Sequence, residues 1–149
     1  MDIRVEQANI SHIDPLTTLF DDYRIFYGME SDLDTAKQFL IDRIYHQQSV
    51  VFIALDDMDN GAGFTQLYPS FSSVSMKGLW ILNDLFVNEN YRRKGVGKML
   101  MDWAKMHAIQ TNAKGLMLET QIENKDAQRL YESLGYEKSD GYYVYNLTL

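Results

Sequence analysis

Apolar residues return every three or four positions from Leu16 to Tyr27 (Leu16, Leu19, Phe20, Tyr23, Phe26, Tyr27), and that spacing predicts a helix. Asp14-Pro15 marks its start, as a capping acid followed by a proline with its ring pre-set for the first turn, and Gly28 marks its end. A short strand precedes it, on Ile3, Val5 and Gln7-Ala8. A second helix is predicted over 33–47, with Phe39, Leu40 and Ile44 on its apolar side.

The period then shortens. The stretch "SVVFIAL" (49–55) is β-branched and brief, and reads as a strand. "DDMDNG" (56–61) reads as a turn with Asn60-Gly61 as its hairpin signal, and "GFTQLY" (63–68) as the returning strand. "PSFSSVSMKG" (69–78) reads as a polar loop, and "LWILNDLFV" (79–87) as a long strand. A helix from Gly97 to about Thr111 follows, then a strand over 114–120. "NKDAQRLYESLG" (124–135) is a capped helix with Gly135 as its left-handed stop and Tyr136 placed for the closing contact. "YYVYNLTL" (142–149) alternates as a last strand does. Two hairpin-joined strands before a βαβ unit predict an α/β fold. The sheet should be mixed and mostly antiparallel, of about 6–7 strands, with about four helices on both faces.

The totals narrow the picture. The 149 residues suit one domain with a proper core, and no repeat or linker divides them. No apolar run is long enough to span a membrane, and the first residues lack the basic-then-apolar order of a signal peptide. With no cysteine, disulfides, thiolate metal sites and a cysteine nucleophile are excluded, and a cytoplasmic location fits. His12, His46 and His107 do not cluster, so no metal site is expected. A net charge of −7 disfavours nucleic acid and favours a cationic partner. Yet Arg92, Arg93, Lys94 and Lys98 crowd together.

That cationic run sits in "YRRKGVGK" (91–98), between the long strand and a helix. Gly95 and Gly97 allow backbone to approach a bulky anion, and first-turn N–H groups point at it. The order is neither the dinucleotide G-x-G-x-x-G nor a Walker loop. Alone, it also reads as a tight strand-to-helix turn. Downstream, Asn124, Ala127, Gln128 and Tyr131 form one stripe of one helix, with Ala127, Leu130 and Leu134 beside it. Asn124 is also placed to cap that helix.

Together the two segments resemble the GNAT superfamily of acyl-CoA-dependent N-acyltransferases. Arg92-x-x-Gly95-x-Gly97 is similar to that family's pyrophosphate loop, "NKDAQRLYESLGY" to its second cofactor segment, and "LWILNDLFV" to the strand before the loop. The resemblance covers about 50–147. It implies a single N-acetyltransferase domain over 1–149, with 1–48 on the acceptor side and 79–136 as the acyl-CoA core. It implies that the long strand splays from the strand after the loop helix. Backbone groups of Leu85, Phe86 and Val87 then pair with the pantetheine arm of acetyl-CoA. The N–H groups from Lys94 through Val96 to Lys98 cradle the pyrophosphate. Asn124 touches the cofactor, and Tyr131 returns a proton to the leaving sulfur.

The chemistry asks for more. An alkylamine of pKa ~10.4 is about one part in 2,500 unprotonated at pH 7, so a proton acceptor is wanted. Glu119 matches the position of the glutamate base in relatives that acetylate protein N-termini. Asn83 and Asp84 interrupt an apolar strand, one expected on each face. Asn83 stands where polyamine acetyltransferases carry a glutamate, and an amide cannot be a base. Asp84 is a candidate catalytic acid, and Asn83, Asp84 and Glu119 are candidates for holding a cationic acceptor. The expected activity is acetyl transfer to a primary amine of a small molecule, amino-acid-like or polyamine-like, by direct attack. A protein N-terminus or lysine as acceptor, and a non-catalytic CoA-binding module, stand as alternatives. The tyrosine-rich last strand is a candidate homodimer interface.

Overall fold

A computed structural model describes residues 2–149. The chain divides into two units, one ending at Leu118 and one running Glu119–Leu149. The first unit is built on five strands: β1 (Arg4–Gln7), β2 (Val50–Leu55), β3 (Gly61–Ser72), β4 (Lys77–Val87) and β5 (Leu116–Met117). They lie side by side in that order. Neighbours from β1 to β4 are antiparallel, and β5 joins β4 in parallel. The helices of this unit are α1 (Ile13–Phe26), α2 (Leu33–Tyr45) and α3 (Val96–Gln110).

Both faces of β2 are covered, which is why its sequence is a continuous apolar run instead of an alternation. On one face Val51, Ile53 and Leu55, with Phe64 of β3, pack against Leu16, Leu19 and Phe20 of α1 and Ala36 and Leu40 of α2. On the other, Phe52 meets Trp103 and His107 of α3, with ring centroids 5.7 Å apart in both pairs. No helix among the described residues is long and apolar enough to cross a membrane.

The second unit holds α4 (Lys125–Ser133). Asn124 Oδ1 accepts from Ala127 N at 3.2 Å and caps the helix. Gly135, at φ 91°, ends it in the left-handed region. Tyr136 N donates to Tyr131 O and Gly135 N to Glu132 O, each at 3.1 Å, so the last carbonyls are satisfied as the sequence predicts.

Four expectations need correction. Helix α1 begins at Ile13 after a one-turn 3-10 helix (Ile10–His12) capped by Asn9, so Asp14 lies in the first turn and is not the cap. The left-handed residue of the 56–61 turn is Asp59 (φ 62°), not Asn60 or Gly61. Residues 69–78 are not a loop: β3 and β4 continue through them as a ribbon, with a turn only at 73–76. Pro69 is tolerated there because β2 stops pairing with β3 at Leu67, leaving an edge that needs no N–H. Lastly, the sheet has five strands, not six or seven, and 142–149 is not a strand. Alternation supplies faces, but a strand exists only against a ladder partner, and the Glu119–Leu149 unit contains no strand to offer one.

Candidate active site

Strand β4 carries the polar interruption Asn83-Asp84, and its register explains what the two residues do. Gln66 of β3 stands opposite Asp84, while Leu67 stands opposite Leu82. Asn83 is therefore the extra residue of a β-bulge, a device that re-aims the side chains after it. The bulge resets the alternation and puts Asp84 beside Gln66. Asn83 itself is exposed, and its Nδ2 donates to Asp84 Oδ1 at 2.9 Å.

Asp84 is 4% exposed and Gln66 is 0% exposed. Gln66 Nε2 donates to Asp84 Oδ2 at 2.6 Å, and its own Oε1 has no partner. Tyr23 of α1 lies close to Asp84. Burial first, then the charge of Asp84, push that phenol well above the usual tyrosine range. Tyr68 is pushed up to about 12 by burial and then by Asp84. A carboxylate offers about four lone-pair sites. Two donors hold this one, Gln66 of β3 and Asn83 of β4, so lone-pair sites are left.

Aromatic rings run outward from this carboxylate. Tyr23 lies 5.0 Å from Tyr27 and 6.2 Å from Phe86, and Phe26 lies 6.5 Å from Phe86. Phe26 is 59% and Tyr27 47% exposed. The wall that the structure supplies is thus the C-terminal end of α1, which helical spacing alone does not distinguish from core. Tyr68 of β3 also lies close enough to Asp84 to feel its charge.

Strand β4 pairs with β5 only at Trp80 and Ile81, so the backbone edge beyond it is not laddered to β5. After Val87 comes a 3-10 turn (Glu89–Tyr91), then the cationic run. Gly95 caps α3 at φ 79°, and Met99 N makes the first helical bond back to Gly95 O at 3.0 Å. The N–H groups of Val96, Gly97 and Lys98 precede that bond and point out of the helix end. No acidic residue lies in this first turn. Gly97 is inside the helix and does not start it; only Gly95 of the pair needs the left-handed region.

The cations have local partners. Arg92 Nε donates to Val87 O at 3.1 Å and its guanidinium stands 5.9 Å from the Phe86 ring centroid. Lys94 Nζ stands 5.9 Å from the Tyr91 ring centroid, and Lys98 Nζ pairs with Asp102 at 2.7 Å. Arg93 is exposed with φ 62°. A cavity of about 330 Å³ borders this loop, lined by residues that include Thr18, Asn60, Asn88, Asn90 and Tyr91. Neither Asn83 nor Asp84 lines it.

In the Glu119–Leu149 unit, Glu119 is exposed, and Tyr131 is half-buried on α4 with its ring 6.1 Å from Tyr136. Burial and Tyr131 raise Tyr136 to about 12.

The family model for the acetyltransferase (GNAT) family matches residues 14–136 of the chain. The chain belongs to that family and is an N-acetyltransferase. It is 45% identical over 147 residues to an uncharacterized N-acetyltransferase YhfO of Bacillus subtilis (strain 168), covering 99% of this chain and 98% of that one. It matches the crystal structure of a probable acetyltransferase with a TM-score of 0.93 and 42% identity, over 98% of this chain and 97% of the other. The fold is shared with the aminoglycoside N-acetyltransferase AAC(6')-Iy in complex with CoA, at TM-score 0.82 and 19% identity over 99% of this chain and 96% of that one. Structures of this fold thus include CoA complexes.

Proposed function

We propose that this acetyltransferase moves the acetyl group of acetyl-CoA to the primary amine of a small molecule, amino-acid-like or polyamine-like, by direct attack. One observation carries the acceptor side: a buried carboxylate, Asp84, held by two donors with lone pairs to spare, at the foot of an exposed aromatic wall. An alkylammonium supplies the missing donor and the missing charge, and aromatic faces attract cations. The chain's acidity suits the same partner.

The residues present fit acetyl-CoA. Left-handed Gly95, the first-turn N–H groups of Val96, Gly97 and Lys98, and the arms of Arg92, Arg93 and Lys94 suit a pyrophosphate. Leu85, Phe86 and Val87 offer backbone for the pantetheine arm, and Asn124 offers an amide. When bound, acetyl-CoA supplies the activated acyl group. Asp84, with Asn83, holds the acceptor ammonium. Glu119 accepts its proton, directly or through water, and Tyr131 donates one to the departing thiolate. The new bond is N–C and the broken one C–S; with no cysteine in the chain, no enzyme thioester intervenes. In this reading 1–48 serve the acceptor and 79–136 the cofactor within one catalytic domain. The exposed tyrosines 142, 143 and 145 suit a homodimer contact.

Thiol release with a panel of amines tests the reading. Turnover is expected with small primary alkylamines, falling about 10- to 100-fold in Tyr131→Phe. Turnover confined to peptide N-termini or peptide lysines would overturn the small-molecule acceptor. CoA binding with no amine turned over, in an otherwise folded protein, would overturn the assigned chemistry.

A further inference from the structure

Between the end of β4 and the start of α3 the chain runs eight residues without a helix or strand of its own length, apart from the turn at Glu89–Tyr91. That stretch is the cationic loop; Asn88 N ties its start to Ala62 O at 2.9 Å, and a side chain anchors it further along. The Tyr91 hydroxyl donates to Asp56 Oδ2 at 2.7 Å across 35 positions of sequence. Asp56 follows β2 directly and is 3% exposed. Its other bonds are local: Met58 N and Asn60 N to Oδ1, each at 2.9 Å, and Asn60 Nδ2 to Oδ2 at 3.1 Å. Arg4 Nη1 donates to the Asp56 carbonyl at 2.9 Å and ties β1 to the same turn. The base of this strut is therefore fixed from several sides. Its far end is the residue directly before Arg92, and the ring it carries lies under Lys94.

We propose that the Tyr91–Asp56 hydrogen bond presets the anion loop, making Tyr91 a positioning residue for acyl-CoA. The inference rests on reading residues 94–98 as the pyrophosphate cradle. A loop that must aim backbone N–H groups at a phosphate binds better when its ordering is done before the ligand arrives. A hydroxyl bonded to a buried carboxylate is a charge-assisted bond, strong enough to do that ordering. Two positive-φ residues, Arg93 and Gly95, follow within four positions. Without a fixed point at Tyr91, the left-handed turn they form has more ways to face.

Tyr91→Phe is the test, since it removes the hydroxyl and keeps the ring under Lys94. CoA affinity by calorimetry and steady-state kinetics are measured on the full chain. The expected result is a rise of about 5- to 10-fold in both the CoA Kd and the KM for acetyl-CoA, the share of one charge-assisted bond that reaches the loop. The kcat at saturation and the KM for the amine stay unchanged. In an Asp56→Asn background, adding Tyr91→Phe should cost little, because the partner is already weakened. Unchanged CoA affinity in Tyr91→Phe, or fully additive losses in the double variant, would overturn the strut. If the wild-type chain itself fails to bind CoA, the cradle reading falls first and the strut with it.

Discussion

Two carboxylates of this protein are almost equally buried, and they are not alike. Asp56 receives four hydrogen bonds, two on each oxygen, and every lone pair is occupied. Three of its donors belong to its own turn. Asp84 receives two, from Gln66 and Asn83, on two different strands. The first is a closed knot of local structure. The second is an open socket, beside a glutamine whose Oε1 is also buried without a partner. Burial alone does not separate the two acids; the count and origin of their donors does.

The largest expected effect comes from the open socket. Asp84→Asn keeps the shape and removes the charge, and kcat/KM for primary amines should fall about 100-fold, with CoA affinity unchanged. Thiol-release kinetics beside CoA calorimetry would show it. Equal losses in both would mean that Asp84 only supports the strand. Gly95→Val comes next. A β-branched residue held at φ 79° costs about 1–3 kcal/mol, so CoA affinity should fall about 10- to 30-fold if the loop must keep that turn. Arg93→Ala should cost only about 2- to 3-fold, since an exposed cation contributes little beyond screened attraction. Equal losses at the two positions would mean that side-chain charge, not the glycine turn, holds the cofactor.

The smallest effect concerns Asp56 and pH. The Tyr91 hydroxyl draws its pKa down to about 2, against burial and with help from Asn60 and Met58. A carboxyl whose pKa is depressed by folding stabilises the fold fully above its unfolded value of ~3.9. That contribution is lost as pH falls through about 2. In acid titrations followed by circular dichroism, the stability gap between wild type and Asp56→Asn should therefore narrow below pH ~4. A gap that holds constant down to the acid limit would contradict the assigned role of Tyr91.

The same contrast marks what the sequence could reveal. The strand–cation–glycine–helix order and the capped helix with Gly135 were legible because each rests on local backbone rules. The burial of β2 followed from its unbroken apolar run. The bulge at Asn83 was not legible, because it is visible only when β4 is counted against β3. For the same reason Gln66 was missed: as one polar residue in "GFTQLY" it shows nothing until Asp84 stands opposite. The ribbon through 69–78 defied its polar composition because two strands can ladder through backbone alone once their register is set. At 142–149 the reverse held, with a clean alternation and no ladder partner in its own unit. The aromatic wall on α1 was not legible as a wall, since helical spacing does not tell Phe26 and Tyr27, near the helix end, from the buried residues before them.

The most direct test is calorimetric titration of a small primary alkylamine into CoA-saturated wild type and CoA-saturated Asp84→Asn. The wild type should bind the ammonium, and the variant should lose at least about tenfold in affinity for it while holding CoA equally well. Equal amine affinity in the two proteins would contradict the assignment of Asp84 as the socket for the acceptor.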